Sequence, residues 1–452
     1  MAGIGEVPAA LLFILGETMS FNFSNNWPYS STLFPSMDDH IDPVNHDYFT
    51  ELHTEIQRIE YYLGLQPQGA YYNIAARLDY MTSNAGKRSC TVIVAPTLDN
   101  GDYTDIQQAI DYVNGLGGGL VYIREGTYLL TSAITMTSYS DIIIRGSGNK
   151  TVIKSNVSLA NMIAIGNNSV RSSFIVIRDI CFDGAPAYSG GTGLIEANGC
   201  DNLTIYNCNF INSDNRGIRL LNADHLIITQ CKFLNNGYND IAQEGTCSHS
   251  IISHNHFEGK NSNTYAISSS GNFTKIHGNS IYNYKYGIYV DGVNKSIIEN
   301  TIYLCSKEGI TLDSVSRSIV ANNIISYCST VGIYAFTCES VTITGNHVSF
   351  CSLNGMLFYG MLACVISSNV CHHNSQNPSG NFEIFFHPIG LRGNTYNSIL
   401  GNSLACGGTS NGMGQFDNIN DHNSIVGNTC SGFAAYGITT GGTYNDFGHN
   451  VQ

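Results

Sequence analysis

From Cys208 onward, an apolar residue is followed three positions later by Asn and two positions after that by a second apolar residue. The unit returns about every 23 residues. It reads Ile252/Asn255/Phe257, Ile276/Asn279/Ile281, Ile297/Asn300/Ile302, Ile319/Asn322/Ile324, Ile343/Asn346/Val348, Ile366/Asn369/Cys371, Ile399/Asn402/Leu404 and Ile425/Asn428/Cys430. Cys208 and Cys231 hold the Asn slot in two earlier units, and successive slots lie 23, 24, 24, 21, 22, 24, 23, 33 and 26 residues apart. A fixed period of this length means one structural unit stacked many times. Within the unit, apolar and polar residues alternate at period two, and Gly and Asn mark the corners, so the unit is built of strands. Strands stacked coil on coil make an all-β chain, a parallel β-helix. Coils lie roughly 4.8 Å apart, so an inward Asn reaches its equivalents above and below and satisfies its buried amide. Cys305, Cys328 and Cys351, at intervals of 23 and 23, mark a second ladder of small buried side chains.

Composition narrows the function. One solenoid can absorb most of the 452 residues. With 20 basic and 34 acidic residues and a net charge of −14, the chain has no basic stripe, and nucleic acid is not an expected partner. The count of 14 cysteines would suit disulfides in a secreted chain. Their repeat-equivalent inward positions and the absence of CxxC favour reduced structural thiols, made in a reducing cytoplasm. The apolar run 8–15 is too short to span a membrane. Glu6 is the only charge before it, so it lacks the basic lead of a signal peptide. A buried arm and a peptide that docks on another protein both fit this run.

Three regions follow. Residues 1–37 form an irregular N-terminal arm, 38–85 a short helical module, and 86–452 the β-helix. Phe49, Leu52, Ile56, Ile59 and Leu63 recur at spacings 3, 4, 3, 4, with Gly64 and Pro67 closing the segment. Ile at successive seam positions favours a three-stranded coiled coil; an amphipathic helix packed on its own domain fits equally. A second short helix is expected over 73–81. The β-helix opens with a helix over 104–113, Ile106, Ala109, Ile110 and Val113 on one face, which shields an open strand edge. Gly117-Gly118-Gly119, a strand over 120–123 and Gly126-Thr127-Tyr128 come next. Near Asn450 the sequence is still repeat-like, so the far end is closed by another chain or by its own last turns.

Residues 102–153 resemble the start of the pectate-lyase-like right-handed β-helix superfamily. The matching residues are Tyr103-Thr104-Asp105-Ile106-Gln107-Gln108-Ala109-Ile110, Gly117-Gly118-Gly119-Leu120-Val121-Tyr122-Ile123, Gly126-Thr127-Tyr128 and Ile144-Arg145-Gly146-Ser147-Gly148. Handedness rests on this resemblance. Residues 43–78 resemble a helical module found ahead of fibre and appendage domains in tailed phages, through Glu55-Ile56, Ile59-Glu60, Leu63-Gly64, Pro67-Gln68-Gly69 and Ala75-Ala76-Arg77-Leu78. Together these imply a phage tailspike or related virion appendage. Such proteins are usually homotrimers that bind host surface glycans, and many cleave them. Attachment to other virion proteins would run through residues 1–85, with no membrane span. Tailspikes often carry a separate C-terminal trimerisation domain, and none is evident here.

The superfamily's enzymes leave marks that this chain lacks: the Asp-Asp and Gly-His-Gly of polygalacturonases, the Asp-Pro-His of alginate epimerases, and the acidic calcium cluster of pectate lyases. A register argument still yields candidates. Coils begin Gly217-Ile218, Asp240-Ile241, Gly287-Ile288, Gly309-Ile310, Gly332-Ile333 and Gly355-Met356. Alternation turns the second and fourth residues after the first of each pair outward. The fourth-residue column then reads Leu221, Glu244, Ser270, Asp291, Asp313, Phe336, Tyr359, and the second-residue column includes Arg219, Tyr289, Thr311, Tyr334 and Leu357. Asp291 and Asp313 fall one coil apart, roughly 5 Å, and Glu244 two coils from Asp291, about 10 Å. These separations bracket those of paired glycosidase carboxylates. Glu244, Asp291 and Asp313 are therefore the candidate catalytic residues, and Arg219, Tyr289, Tyr334, Phe336 and Tyr359 the candidate glycan-binding ones. Scattered acids on any polar solenoid face give the same pattern without catalysis. Asp240 and Glu308 lie beside the strip, and Glu383 falls in the long 33-residue repeat, where a loop is expected. His372, His373 and His387 lack carboxylate or thiolate partners at ligand spacing, so neither metal nor cofactor is expected. A free polysaccharide lyase, hydrolase or epimerase and a non-catalytic structural decoration protein are the rival readings.

Overall fold

The computed structural model describes residues 90–451, apart from 156, 185–191, 261–263, 375–381, 388–392, 406–410, 416–419, 433–437, 440–444 and 447. The expected arm, helical module and coiled-coil seam lie outside the described residues. Each coil contributes one strand to each of three sheets, of 14, 13 and 13 strands, and all strand pairs are parallel. The chain is therefore the parallel β-helix that its period requires. The amphipathic helix α1 spans Ile106–Gly115, two residues later than expected, because the Asp105 side chain caps it by accepting from the Gln108 amide at 2.8 Å. Its Ile106, Ala109, Ile110 and Val113 are buried in the same core as the coils. No helix among the described residues is long and apolar enough to cross a membrane.

Inside the solenoid, equivalent residues stack. Phe182, Phe210, Phe233 and Phe257 form a column with ring centroids 5.3, 5.0 and 4.8 Å apart. The Asn ladder is present: Asn279 donates from its amide N and its Nδ2 to Asn300 Oδ1 (3.1 and 2.9 Å), and Nδ2 also reaches the Ile252 carbonyl at 2.9 Å. Each rung thus satisfies the one before it, and the ladder continues to Asn450. One rung differs from the sequence reading. The inward residue is Asn323, fully buried between Asn300 and Asn346, whereas Asn322 is exposed with φ 55°. The apolar partners there are Val320 and Ile325, not Ile319 and Ile324. A second Asn ladder, Asn397–Asn423–Asn445, runs alongside the last coils. Twelve of the described cysteines, from Cys181 to Cys430, are buried and unpaired. Burial pushes the Cys200 and Cys231 thiols up to about 12, which keeps them unreactive.

Where the chain enters each strand of the second sheet, Gly217, Gly287, Gly309, Gly332 and Gly355 occupy one stacked corner position. A Cβ at Gly332 would lie 2.2 Å from Val348 Cγ1 and 2.7 Å from the Gly355 carbonyl. Gly332→Ala must displace both core and backbone. The expected result is a loss of about 1–3 kcal/mol in urea unfolding, and an unchanged midpoint would contradict this packing.

Candidate functional site

The second sheet carries the predicted strip on its outer face. Backbone pairing aligns Leu221 with Glu244, Asp291 with Asp313, Asp313 with Phe336, and Phe336 with Tyr359, and Ser270 falls between Glu244 and Asp291. The neighbouring column runs Glu196, Arg219, Ala242, Ser268, Tyr289, Thr311, Tyr334, Leu357. A third outward column, one residue before the corner, adds Arg216, Tyr265, Tyr286 and Glu308. Of its members sequence reasoning named only Glu308, because counting began at the corner glycine; stepping back one residue would have found the rest.

The carboxylates fall into two chemical settings. Glu244 is held by Arg216 (Oε1–Nη2, 3.0 Å) and by Arg219 (Oε2 to Nε 3.0 Å and Nη2 2.8 Å), and Arg219 also meets Glu196 at 3.3 Å. Both oxygens of Glu244 thus accept from guanidinium donors, and the group stands as a fixed anion in a charged network. Among the described residues, Asp291 and Asp313 carry no such partners. The Ser270 hydroxyl donates to Asp291 Oδ2 at 3.0 Å. The Tyr289 hydroxyl donates to Asp313 Oδ2 at 3.1 Å, and the Ser314 hydroxyl to Oδ1 at 3.0 Å. Burial, and then the Asp313 charge, push the Tyr289 hydroxyl well above its ordinary range, so it stays a donor to that carboxylate.

Aromatic rings flank this pair along the solenoid axis. On one side Tyr265 stacks on Tyr286 at 4.8 Å and touches Tyr289 at 5.2 Å. On the other, Tyr359 meets Tyr334 at 5.7 Å, Phe336 at 6.5 Å and His387 at 4.7 Å. Between the two groups, the Thr311 hydroxyl oxygen is buried without a hydrogen-bond partner. Beneath the strip, the inward residues of two coils are polar where their neighbours are apolar. Gln243 bridges Ser250 and Ser269, at 2.6 Å to each. The Lys295 ammonium, 2% exposed, donates to the Ser269 carbonyl (3.0 Å) and hydroxyl (3.2 Å) and to the Gly271 carbonyl. Burial pushes its amine down to about 8, and Asp291 acts in the opposite direction.

Two weaker candidates lie elsewhere than expected. Asp240 and Glu383 occupy the corner-glycine position, where two consecutive side chains face the interior and strict alternation breaks. Asp240 is fully buried, accepting from Asn236 Nδ2 at 2.7 Å and from the Tyr284 hydroxyl. Glu383 is not on a loop. It lies in the strand Phe382–His387, fully buried, and accepts from the Asn374 amide N (3.1 Å) and Nδ2 (2.5 Å) as a ladder Asn would. Glu308 stays outside, accepting from the Thr330 hydroxyl at 3.2 Å. His372 lies on the third sheet, with its Nε2 2.7 Å from His347 Nε2 and its Nδ1 3.0 Å from His373 Nδ1.

No curated protein sequence matches the chain. Solved structures share its fold. The A-module of the Azotobacter vinelandii mannuronan C-5 epimerase AlgE6 superposes with a TM-score of 0.51 at 17% identity, over 76% of this chain and 93% of that one. A mutant tailspike protein of E. coli bacteriophage HK620, in complex with a hexasaccharide, gives 0.55 at 17% identity over 73% and 67%. Tailspike protein 3 of bacteriophage CBA120 gives 0.52 at 14% identity over 89% and 67%. The family described as right-handed β-helix region matches residues 192–273 and 265–451, more than half of the chain. With the parallel coils and their stacked ladders, this match places the chain in the right-handed β-helix family.

Proposed function

We propose that the chain is a phage-type virion appendage whose second-sheet outer face binds a host surface polysaccharide, with Asp291 and Asp313 as the carboxylate pair that cleaves it. The observation that carries this reading is the aligned Asp291–Asp313 pair with aromatic rings on both sides along one strip. Aromatic faces suit the apolar faces of sugar rings, and a strip along the axis suits a linear chain. Adjacent coils bring the two carboxylates to roughly 5 Å, the separation at which one can act as acid and the other as nucleophile. Glu244, fixed by Arg216 and Arg219, supplies a charged edge where hydroxyl groups of the glycan dock. The carbohydrate-handling proteins among the structural neighbours support the substrate class. In this reading the appendage is a homotrimer, and residues 1–85 attach it to other virion proteins.

Binding is the first test. Full-length protein is titrated with host surface polysaccharide fragments, and Tyr334→Ala and Tyr359→Ala are compared with the parent. Each lost ring is expected to weaken binding about 3–10-fold, while both variants keep the parent's melting temperature. Equal affinities in all three proteins would remove the strip from glycan recognition.

A further inference from the structure

Away from the strip, at the turn leading into the first sheet, two coils place histidines at one stacked position. His225 and His249 both have left-handed backbone, φ 54° and 49°, and their rings lie parallel at 4.9 Å with 9° between planes. Phe273 of the next coil continues the stack at 4.9 Å and 4°, holding the His249 ring from its other face. Both imidazoles turn the same nitrogen toward one carboxylate: His225 Nδ1 is 3.1 Å from Asp224 Oδ2, and His249 Nδ1 is 3.1 Å from Asp224 Oδ1. Among the described residues, these three side chains bring their ligand atoms within 4.8 Å of one another. The carboxylate is itself oriented, because the His225 amide donates to Asp224 Oδ1 at 3.0 Å and the Ser248 hydroxyl donates to the same oxygen.

We infer that Asp224, His225 and His249 form a surface site for a divalent transition-metal ion, Zn²⁺ foremost, that ties one coil of the solenoid to the next. Two imidazole nitrogens with one carboxylate are the donor set of zinc and its neighbours, not of calcium or magnesium, which take oxygen ligands. Ligand atoms bound to one tetrahedral zinc at its usual bond lengths lie about 3.3 Å apart. The two nitrogen–oxygen separations, one to each oxygen of the carboxylate, are within a few tenths of an ångström of this, and the two parallel imidazoles, 4.9 Å apart, must tilt toward one another to share the ion. A bound ion would replace the two histidine–carboxylate hydrogen bonds and would leave a fourth position for water. The Ser248 hydroxyl would then be the outer partner that orients the carboxylate. Asp224 and His225 lie on one coil and His249 on the next, so ion binding favours the stacked state and raises its stability.

The test uses full-length protein stripped with a chelator and titrated with ZnCl₂ alone, by calorimetry and by thermal shift. The wild type is expected to show a saturable site together with a rise in melting temperature. His249→Ala and Asp224→Asn should each lose that site and that rise, with far-ultraviolet circular dichroism unchanged. Ser248→Ala should weaken it about tenfold. His347→Ala, which alters the third-sheet histidine cluster, should leave it intact. Absence of saturable zinc binding in the wild type, or a His249→Ala titration that superimposes on the wild type, overturns the assignment. So does loss of the site in His347→Ala alone.

Discussion

Asp240→Asn is expected to stabilise the protein at pH 8 by about 2–4 kcal/mol, and the gain should vanish below about pH 4. Asp240 is fully buried and, among the described residues, has no cation beside it; its partners are Asn236 and Tyr284. Burial pushes its carboxyl from 3.8 up to about 7, although both hydrogen bonds act to lower it. A folded pKa above the unfolded one means that the folded chain holds the extra proton between these two values. Stability therefore falls as pH rises through that window, and above it the full cost of the buried charge is present. Below the unfolded value both states are protonated and the cost is gone. Asn is neutral throughout and keeps an oxygen for Asn236, while its NH₂ takes the place of the oxygen to which Tyr284 donates, so the Tyr284 hydroxyl must turn to accept. That NH₂ needs acceptors, which sets the lower end of the range. Urea midpoints of the two proteins at pH 4 and pH 8 decide the matter. An Asp240→Asn protein no more stable than the parent at pH 8 would mean that the buried carboxylate carries no such penalty.

Asp240 also shows where reading the chain from its period succeeds and fails. Period two and the corner glycine suffice to align Glu244, Ser270, Asp291, Asp313, Phe336 and Tyr359, because a parallel stack fixes each residue by its count from a recurrent corner. At the corner itself the chain bends and two successive side chains face inward, so alternation misplaces Asp240, and Glu383, expected on a loop because its repeat is long, holds the same buried corner. The Asn322 slot failed for a different reason. Ile319 and Val320 are both apolar, as are Ile324 and Ile325, so two frames fit the sequence equally and only packing selects Asn323. The arginine pairing of Glu244 was out of reach of spacing, since it depends on how two long side chains from the preceding coil reach across the strand. The Asp224–His225–His249 cluster, one coil apart as Asp291 and Asp313 are, was missed because the count was anchored on the second sheet's corner and not on the turn before the first.

That division between a paired and an unpaired carboxylate separates the catalytic roles in the strip. Asp313→Asn should lower turnover of a polysaccharide that the parent cleaves by about 100-fold or more, while binding changes by less than about threefold. The amide keeps an oxygen for the Tyr289 hydroxyl, and the half-buried position tolerates it, so the fold and the aromatic platforms remain. Asp291→Asn should act alike, because an amide serves neither as acid nor as nucleophile and the pair fails when either member is replaced. Glu244→Gln should behave differently. Removing its charge leaves Arg216 and Arg219 with less to hold them, so substrate affinity should fall more than the rate at saturation. Initial rates and binding constants on one defined oligosaccharide distinguish these patterns. Parent-level turnover in both aspartate variants would end the case for the pair as catalyst. A parent that binds the glycan without cleaving it would end that case too, yet would leave the strip as a binding surface, since the aromatic platforms do not depend on either aspartate.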